Sequence, residues 1–377
     1  MDRMGIQSSM RLGWVVAFSA LMAFYYFIPE LEITDSRYVL GTSDAFVRTG
    51  SLDMRGLVGA DGNKALVDNY YFLIPSTGLA PDAIATARKA GAGPFGKGRA
   101  ADFYILREIA LFVPGAAADI SNATYPLLPL FPAWPSFLCA PVSVLTSALG
   151  LPVYDGVEFH EDRNALYQRI LAAALAALTI VFFYAAARCV IARPLAMALA
   201  AWLGAGLIAS STSRALWSDT FALPLCFAGL TVFMRVVVAR RATSYWPFLL
   251  AALLSLAFMM KPLYAIPSAM LGLLVVLAPE IPLRSKVSFA ATCLAFAMVF
   301  GLTSFATYGA LLPPYFAPTR VNPFDPSHIP AFSAPRAGSS GSCPRPFSSF
   351  SLRFSSCGTE GFLWRALSLS PPLHSPS

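Results

Sequence analysis

The sequence predicts an all-α polytopic membrane protein with about seven transmembrane helices and one large extracytoplasmic loop after the first helix. Composition is the first observation: 56% of the 377 residues are hydrophobic and only 12% are charged. Soluble domains carry about 25% charged residues, and charge is costly inside a bilayer. The second observation is a series of apolar runs long enough to cross a membrane, since a crossing needs roughly 20 mostly apolar residues.

The first apolar run covers residues 12–28 and follows Arg3 and Arg11. A cleavable signal peptide is the alternative interpretation, but no small-residue cleavage site follows the run, so we expect a membrane anchor. Six further runs are too long and continuous for soluble core strands: 167–187, 195–212, 220–239, 246–260, 263–279 and 287–306.

Basic residues set the predicted orientation. The stretch 137–151 is short and follows a proline-rich segment, so we expect it to lie at the membrane interface. The basic links then fall on the same side as the N-terminus: Arg188/Arg193, Arg235/Arg240/Arg241 and Arg284/Lys286. If 137–151 crossed the membrane, all of these links would lie outside, against the positive-inside rule. We therefore expect a multi-pass protein of the cell inner (plasma) membrane with a cytoplasmic N-terminus.

This topology divides the chain into five parts. Residues 1–28 form the cytoplasmic end and first transmembrane helix, and residues 29–166 an extracytoplasmic loop with the interfacial segment. The transmembrane bundle covers 167–306, an outer loop 307–332, and a Ser/Pro/Arg-rich tail 333–377. The segment 29–136 holds eleven of the twenty acidic residues. Because so long a connection is usually functional or disordered, we expect an ordered outer loop with a few short helices.

Several classes of site are not indicated. The six cysteines lack paired spacing, and four lie in or beside apolar runs, where cysteine behaves as a small hydrophobic residue. Three scattered histidines without a CxxC or HExxH motif argue against a zinc site, and no metal or other cofactor is predicted. Five charged tail residues contribute three of the seven net positive charges. The remainder is only mildly basic, and no nucleic-acid partner is expected.

Polar motifs gather on the predicted outer face. Asp35, Arg37 and Tyr38 follow the first span, Tyr125 opens the stretch "YPLLPLFPAWP", and Arg169 ends a "QR" pair at the second span. The turn "SRALWSD" between the third and fourth spans contains Arg214, and Lys261-Pro262 lies between the fifth and sixth. Arginine and lysine form charge-assisted hydrogen bonds to phosphate oxygens. Basic residues at an outer surface therefore point to a lipid phosphate or pyrophosphate.

The order of these motifs resembles that of the GT-C membrane glycosyltransferases, in particular the bacterial relatives of protein O-mannosyltransferases and lipid A aminoarabinose transferases. The resemblance covers about residues 10–320. It implies a polyprenyl-phosphate sugar donor and an acidic residue of the first outer loop as catalytic base, which corresponds to Asp35. Better-known members often have two adjacent acids there, where this chain has Asp35-Ser36.

The implied chemistry assigns further residues. An inverting transfer needs a carboxylate to take the proton of the acceptor hydroxyl and fixed cations beside the anionic leaving group. The expected substrate-binding residues are Arg37, Tyr38, Tyr125, Arg169, Arg214 and Lys261, with membrane lipids around the prenyl chain. The acceptor is an extracytoplasmic lipid, glycan or protein. A transporter or flippase is the main alternative. It would place polar or broken-helix residues near mid-membrane, whereas the predicted spans are nearly free of charge and the polar residues gather at one face, which favours the enzyme. A second alternative is a non-catalytic, truncated membrane protein.

The tail has two interpretations. Thirteen of the forty-five residues from Ser333 onward are serine, as in a disordered tail. Alternatively the stretch is translated out of frame. A reading frame shifted by one base turns TCN serine and TTY phenylalanine codons into codons for Phe, Leu, Ile or Val, and would give an eighth apolar span. The chain would then be a truncated, inactive product, which resequencing of the gene would decide.

Overall fold

The computed structural model describes residues 3–28, 38–55, 72–89, 94–97, 102–105, 126–129, 133–209, 215–240 and 243–316. All of them lie within the unit Met1–Val321. The helices are α1 (Arg3–Tyr26), α2 (Tyr38–Thr49), α3 (Pro81–Lys89), α4 (Trp134–Ala148), α5 (Glu161–Ala187), α6 (Arg193–Leu203), α7 (Ser218–Val237), α8 (Trp246–Met260), α9 (Ala265–Leu277) and α10 (Leu283–Tyr308). The strands are β1 (Phe72–Pro75), β2 (Gly96–Lys97), β3 (Asp102–Ile105) and β4 (Leu128–Pro129).

Three of the described helices are long and apolar enough to cross a membrane: α5, α7 and α10. Shorter apolar helical stretches cover Val15–Tyr26, Trp246–Met260 and Pro262–Leu277. At about 1.5 Å per residue, the 13 residues of α9 are shorter than the hydrocarbon core of about 30 Å. The chain is therefore an α-rich protein with three helices of membrane-spanning character, and the seven crossings remain a prediction.

The predicted third span, 195–212, is not one regular helix. Its first part is α6, which continues into a π-helical turn at Gly204–Ile208. The hydroxyl of Tyr25 on α1 donates a hydrogen bond to the Gly204 carbonyl oxygen at 3.1 Å. A Cβ atom at Gly204 would lie 2.8 Å from that hydroxyl, so glycine permits the close approach of α1. A π-turn of this kind often marks a functional position in a helix.

The all-α prediction needs a correction in the segment 29–166. Alongside its helices, this segment forms a four-stranded antiparallel sheet in the order β2-β3-β1-β4. The register pairs Leu73 with Ile105 and Ile74 with Tyr104. The strands are only two to four residues long, so they show no extended alternation of polar and apolar residues. The partners of β1 are 28 or more positions away in the sequence, so a local pattern search misses the sheet.

The helix bundle has two distinct ends. At the end where α5 and α7 begin, called the near end, a core contains Tyr38, Leu127, Leu216, Phe221 and Met260. The core at the opposite end, called the far end, is formed by the end of α7, the start of α8, the second half of α9 and the start of α10. It contains Phe233, Trp246, Leu271, Val275 and Phe289. Consequently α8 runs back towards the near end.

Much of α9 and α10 presents apolar side chains on the surface of the molecule. Leu273, Leu277, Leu294, Met298 and Leu302 are each between 57% and 65% exposed. A contiguous apolar surface of this kind is rare on soluble monomers and typical of contact with lipid or another protein. The surface supports the membrane association that composition predicts.

Candidate functional site

The predicted site residues fall into two groups. Asp35, Arg37, Tyr125 and Arg214 lie outside the described residues, as does the tail 333–377. The structure describes the other three, Tyr38, Arg169 and Lys261.

Tyr38 is the first residue of α2 and packs into the near-end core. It is 9% exposed, so most of its ring is removed from solvent. Met260 of α8 and Leu216, just before α7, belong to the same core. Helix α2, the first described element after α1, is thus held against the near end of the bundle.

Arg169 lies in the first half of α5 and faces α1. Its guanidinium carbon is 5.7 Å from the centre of the Tyr26 ring, at the end of α1. This is within the range of a cation–π interaction. The predicted cation therefore lies where the first span meets the bundle.

Lys261 follows α8 directly and forms an ion pair that the sequence analysis did not identify. Its Nζ atom donates a hydrogen bond of 2.5 Å to Oδ2 of Asp219, in the first turn of α7. The two side chains are 28% and 25% exposed, so the pair is open at one side. The Tyr264 hydroxyl lies close to the same carboxylate. A phosphate at Lys261 would share the ammonium group with Asp219.

An apolar cavity of about 810 Å³ lies between α8, α9 and α10. Its lining is largely carbon, with Phe258, Phe289 and Phe300 among the lining residues. Met259 and Ala265, which flank Lys261 in the sequence, also line it. Lys261 is not itself among the described lining residues, but the chain on both sides of it reaches an apolar space large enough for part of a lipid chain.

Asp44 is a second carboxylate that the sequence analysis did not single out. It is 1% exposed, and its Oδ2 accepts hydrogen bonds from the backbone N–H groups of Val153 at 2.7 Å and Tyr154 at 2.9 Å. Burial raises the pKa of Asp44, while the Ser143 side chain, the two amides and Arg48 act in the opposite direction. Arg48 in turn donates from Nε to the Tyr154 carbonyl oxygen at 3.1 Å. These bonds fix α2 to the turn that precedes α5, which is a structural role.

Two buried amide side chains lie on α5 at the near end. Asn164 and Gln168 are both 0% exposed, and within the described part of the chain neither amide has a hydrogen-bond partner. Their spacing of four residues places them on one stripe of the helix, which continues to Ala172 in the near-end core. Burying a polar group without a partner costs about 1–3 kcal/mol. The sequence signal was weak, because Asn164 precedes the apolar run 167–187 and Gln168 lies at its very start.

Nothing in the described residues assembles a metal site, since no group of three or more His, Cys, Asp or Glu side chains comes together there. Three acidic residues at and just before the start of α5, Glu158, Glu161 and Asp162, are exposed. Comparison of the chain with protein-family models, curated proteins and solved structures found no match.

Proposed function

We propose that this protein is a membrane glycosyltransferase of the GT-C type, which moves a sugar from a polyprenyl-phosphate donor to an extracytoplasmic acceptor. One observation carries the proposal. Tyr38, Leu127, Leu216 and Met260 pack in one core at one end of an apolar bundle. In the sequence these four residues stand next to the candidate residues Asp35, Tyr125, Arg214 and Lys261.

Covalent connection supports a common site for these residues. Asp35 precedes Tyr38 by three positions, and Arg214 precedes Leu216 by two. A chain of three residues reaches at most about 11 Å. The proposed base and one proposed cation are therefore tethered to the near-end core, where Lys261 and Arg169 lie.

In the proposed reaction, the acceptor hydroxyl oxygen attacks the anomeric carbon and its proton passes to the Asp35 carboxylate. The bond from the anomeric carbon to the phosphate oxygen breaks, and polyprenyl phosphate leaves as an anion. Arg37, Arg169, Arg214 and Lys261 supply the positive charge that stabilises this leaving group. Tyr38 and Tyr125 contribute to binding at the same end.

The apolar cavity beside Lys261 suits the lipid part of the donor. The donor is a phosphodiester with one negative charge and a long hydrocarbon chain, and its head gains a second negative charge when the sugar leaves, so it needs a cation next to an apolar surface. Lys261 provides the cation, and Met259 and Ala265, two residues before it and four residues after it, line the cavity of about 810 Å³. The proposal places the chain of the donor there.

The proposal includes the topology. Seven crossings with a cytoplasmic N-terminus would place the near end outside the cell and the far end in the cytoplasm, within the inner (plasma) membrane. Two features support it: the described basic links Arg188, Arg235 and Arg284 belong to the far end, and the acidic outer segment contacts the near end.

A transporter or flippase is the second candidate, and two specific features favour it. The π-helical turn Gly204–Ile208 interrupts a predicted span, and Asn164 and Gln168 bury four amide atoms without partners in the described residues. Interrupted helices and buried polar groups line the substrate paths of transporters. A transporter would change where a glycolipid is found in the envelope, whereas a transferase changes which glycoconjugates exist.

Mass spectrometry of cell-envelope lipids and glycans tests the proposal. Cells lacking the gene are compared with cells in which it is restored at its own locus, so that any longer product is restored as well. The proposal predicts one sugar-modified species lost on deletion, regained on restoration, and accompanied by accumulation of its unmodified acceptor. Unchanged species with an altered distribution between leaflets would instead favour the transporter.

A further inference from the structure

The far end of the bundle contains a second cavity, remote from the near-end core. It has a volume of about 730 Å³ and lies between the ends of α5 and α7 and the start of α8. Its lining includes Arg188, Arg235, Thr243, Tyr245 and Trp246. Polar and apolar atoms both contribute, unlike the carbon-lined cavity beside Lys261.

Two arginines line this cavity. Arg188 follows α5, and Arg235 lies in the last turn of α7. Nη1 of Arg188 donates a hydrogen bond to the Ile191 carbonyl oxygen at 3.2 Å, which leaves its other N–H groups available. None of the described lining residues is acidic. Two guanidinium groups at one cavity repel each other, and a bound anion would remove that repulsion.

The rim of the cavity has the character of a membrane–water interface. Trp246 is 5% exposed and Tyr245 60% exposed at the start of α8, and Trp and Tyr are enriched at the level of the lipid headgroups. Val232, Val236 and Leu249 line the same cavity along α7 and α8. Arginines therefore lie beside a strip of apolar helix surface.

We propose that the far-end cavity binds an anionic phospholipid. The phosphate lies between Arg188 and Arg235, with the Thr243 hydroxyl as a further donor, and the acyl chains follow the apolar surface of α7 and α8. Basic pockets between transmembrane helices bind anionic headgroups in this way. The inference does not depend on the proposed transferase activity, because no residue of the near end takes part.

The test uses the full chain purified in a mild non-ionic detergent. Phosphatidylglycerol is titrated in and bound lipid is counted by native mass spectrometry, with phosphatidylcholine and inorganic phosphate as comparison ligands. The double variant Arg188→Gln/Arg235→Gln removes both cavity arginines. The matched control Arg193→Gln/Arg284→Gln removes two exposed arginines from the same end that do not line the cavity.

The proposal predicts that wild type and control bind phosphatidylglycerol equally. Each arginine near a membrane surface is worth about fivefold in binding to anionic lipid, so the double variant should bind about 25-fold more weakly. Arg235→Lys keeps the charge and should lose less than Arg235→Gln. Equal loss in the control would show a general charge effect and overturn the proposal. Equally tight binding of phosphatidylcholine or of inorganic phosphate would overturn it too.

Discussion

The buried carboxylate of Asp44 offers a quantitative test of how the outer segment is held against the bundle. Its Oδ2 accepts two backbone hydrogen bonds, from Val153 and Tyr154, which are separated from it by about 110 residues in the sequence. All three residues are at most 5% exposed. Asp44→Ala therefore leaves two N–H groups without an acceptor in a place that water reaches poorly.

The expected cost follows from those two groups. A buried donor that loses its partner costs about 1–3 kcal/mol. The combined cost for the two N–H groups is reduced, because the substitution also removes a buried carboxylate whose Oδ1 has no partner among the described residues and which is itself unfavourable to bury. We expect a net loss of about 2–4 kcal/mol in the free energy of unfolding. Asp44→Asn retains one acceptor oxygen and should cost about 1 kcal/mol or less.

The pH dependence has a definite sign. Burial raises the pKa of Asp44 above its ordinary value of 3.8, so the folded state holds the proton more tightly than the unfolded state. The tighter binding of this proton stabilises the folded protein fully at a pH below the unfolded pKa of Asp44. The stabilisation is lost as the pH rises through the higher pKa of the folded state. An asparagine side chain does not titrate, so the stability of the Asp44→Asn variant lacks this pH dependence. The advantage of wild type over the variant in free energy of unfolding should therefore become smaller as pH rises.

Thermal unfolding in detergent, followed by tryptophan fluorescence, measures these effects. Asp155→Ala is the matched control, because Asp155 also accepts two backbone N–H groups, from Val157 and Glu158, but its side chain is 38% exposed. Water can replace that acceptor, so the control should lower the melting temperature much less. Equal melting temperatures for Asp44→Ala and Asp155→Ala would refute the reasoning.

Three further predictions concern the site and the topology. Lys261→Met should lower sugar transfer at least tenfold, since a charged hydrogen bond to a leaving group contributes about 1.5–3 kcal/mol; Lys286→Met at the far end is the control, and equal activity of the two variants would contradict the phosphate role. Gln168→Met should raise the melting temperature, because it removes an unpartnered buried amide, and a lower one would show that the amide has a structural partner. Ser51→Cys should react with an impermeant thiol reagent applied to intact cells while Ser244→Cys does not, in a chain whose native cysteines are replaced; the reverse labelling would overturn the predicted orientation.

The sequence predicted the helices with long apolar runs well. The runs 167–187 and 287–306 correspond to α5 and α10, because continuous burial in an apolar medium leaves a signal in every residue. The sheet was missed because its strands are short, and the pairing of Leu73 with Ile105 connects residues 32 positions apart. Pairing at that distance depends on the whole fold rather than on local pattern.

The site was only partly accessible from the sequence for a similar reason. Arg169 and Lys261 were singled out because cations on the predicted outer face depart from the positive-inside tendency. The ion-pair partner of Lys261 could not be predicted from the sequence, since Asp219 is 42 residues away. Asp44 gave no signal either, because a carboxylate in a polar loop looks solvated until its backbone partners are known.

The most direct test of the proposed function is the substitution Asp35→Asn, made at the gene's own locus so that any longer product carries it. Asn keeps the shape of the side chain but cannot take the proton of the acceptor, and a general base contributes about 10²–10⁴-fold to the rate. The control is Asp82→Asn, an exposed residue of α3, and membrane insertion is checked by the amount of protein in the membrane fraction. The account predicts that transfer of the sugar to its acceptor collapses in Asp35→Asn and is normal in Asp82→Asn, with equal insertion. Near-normal transfer by Asp35→Asn would contradict the assignment of the base.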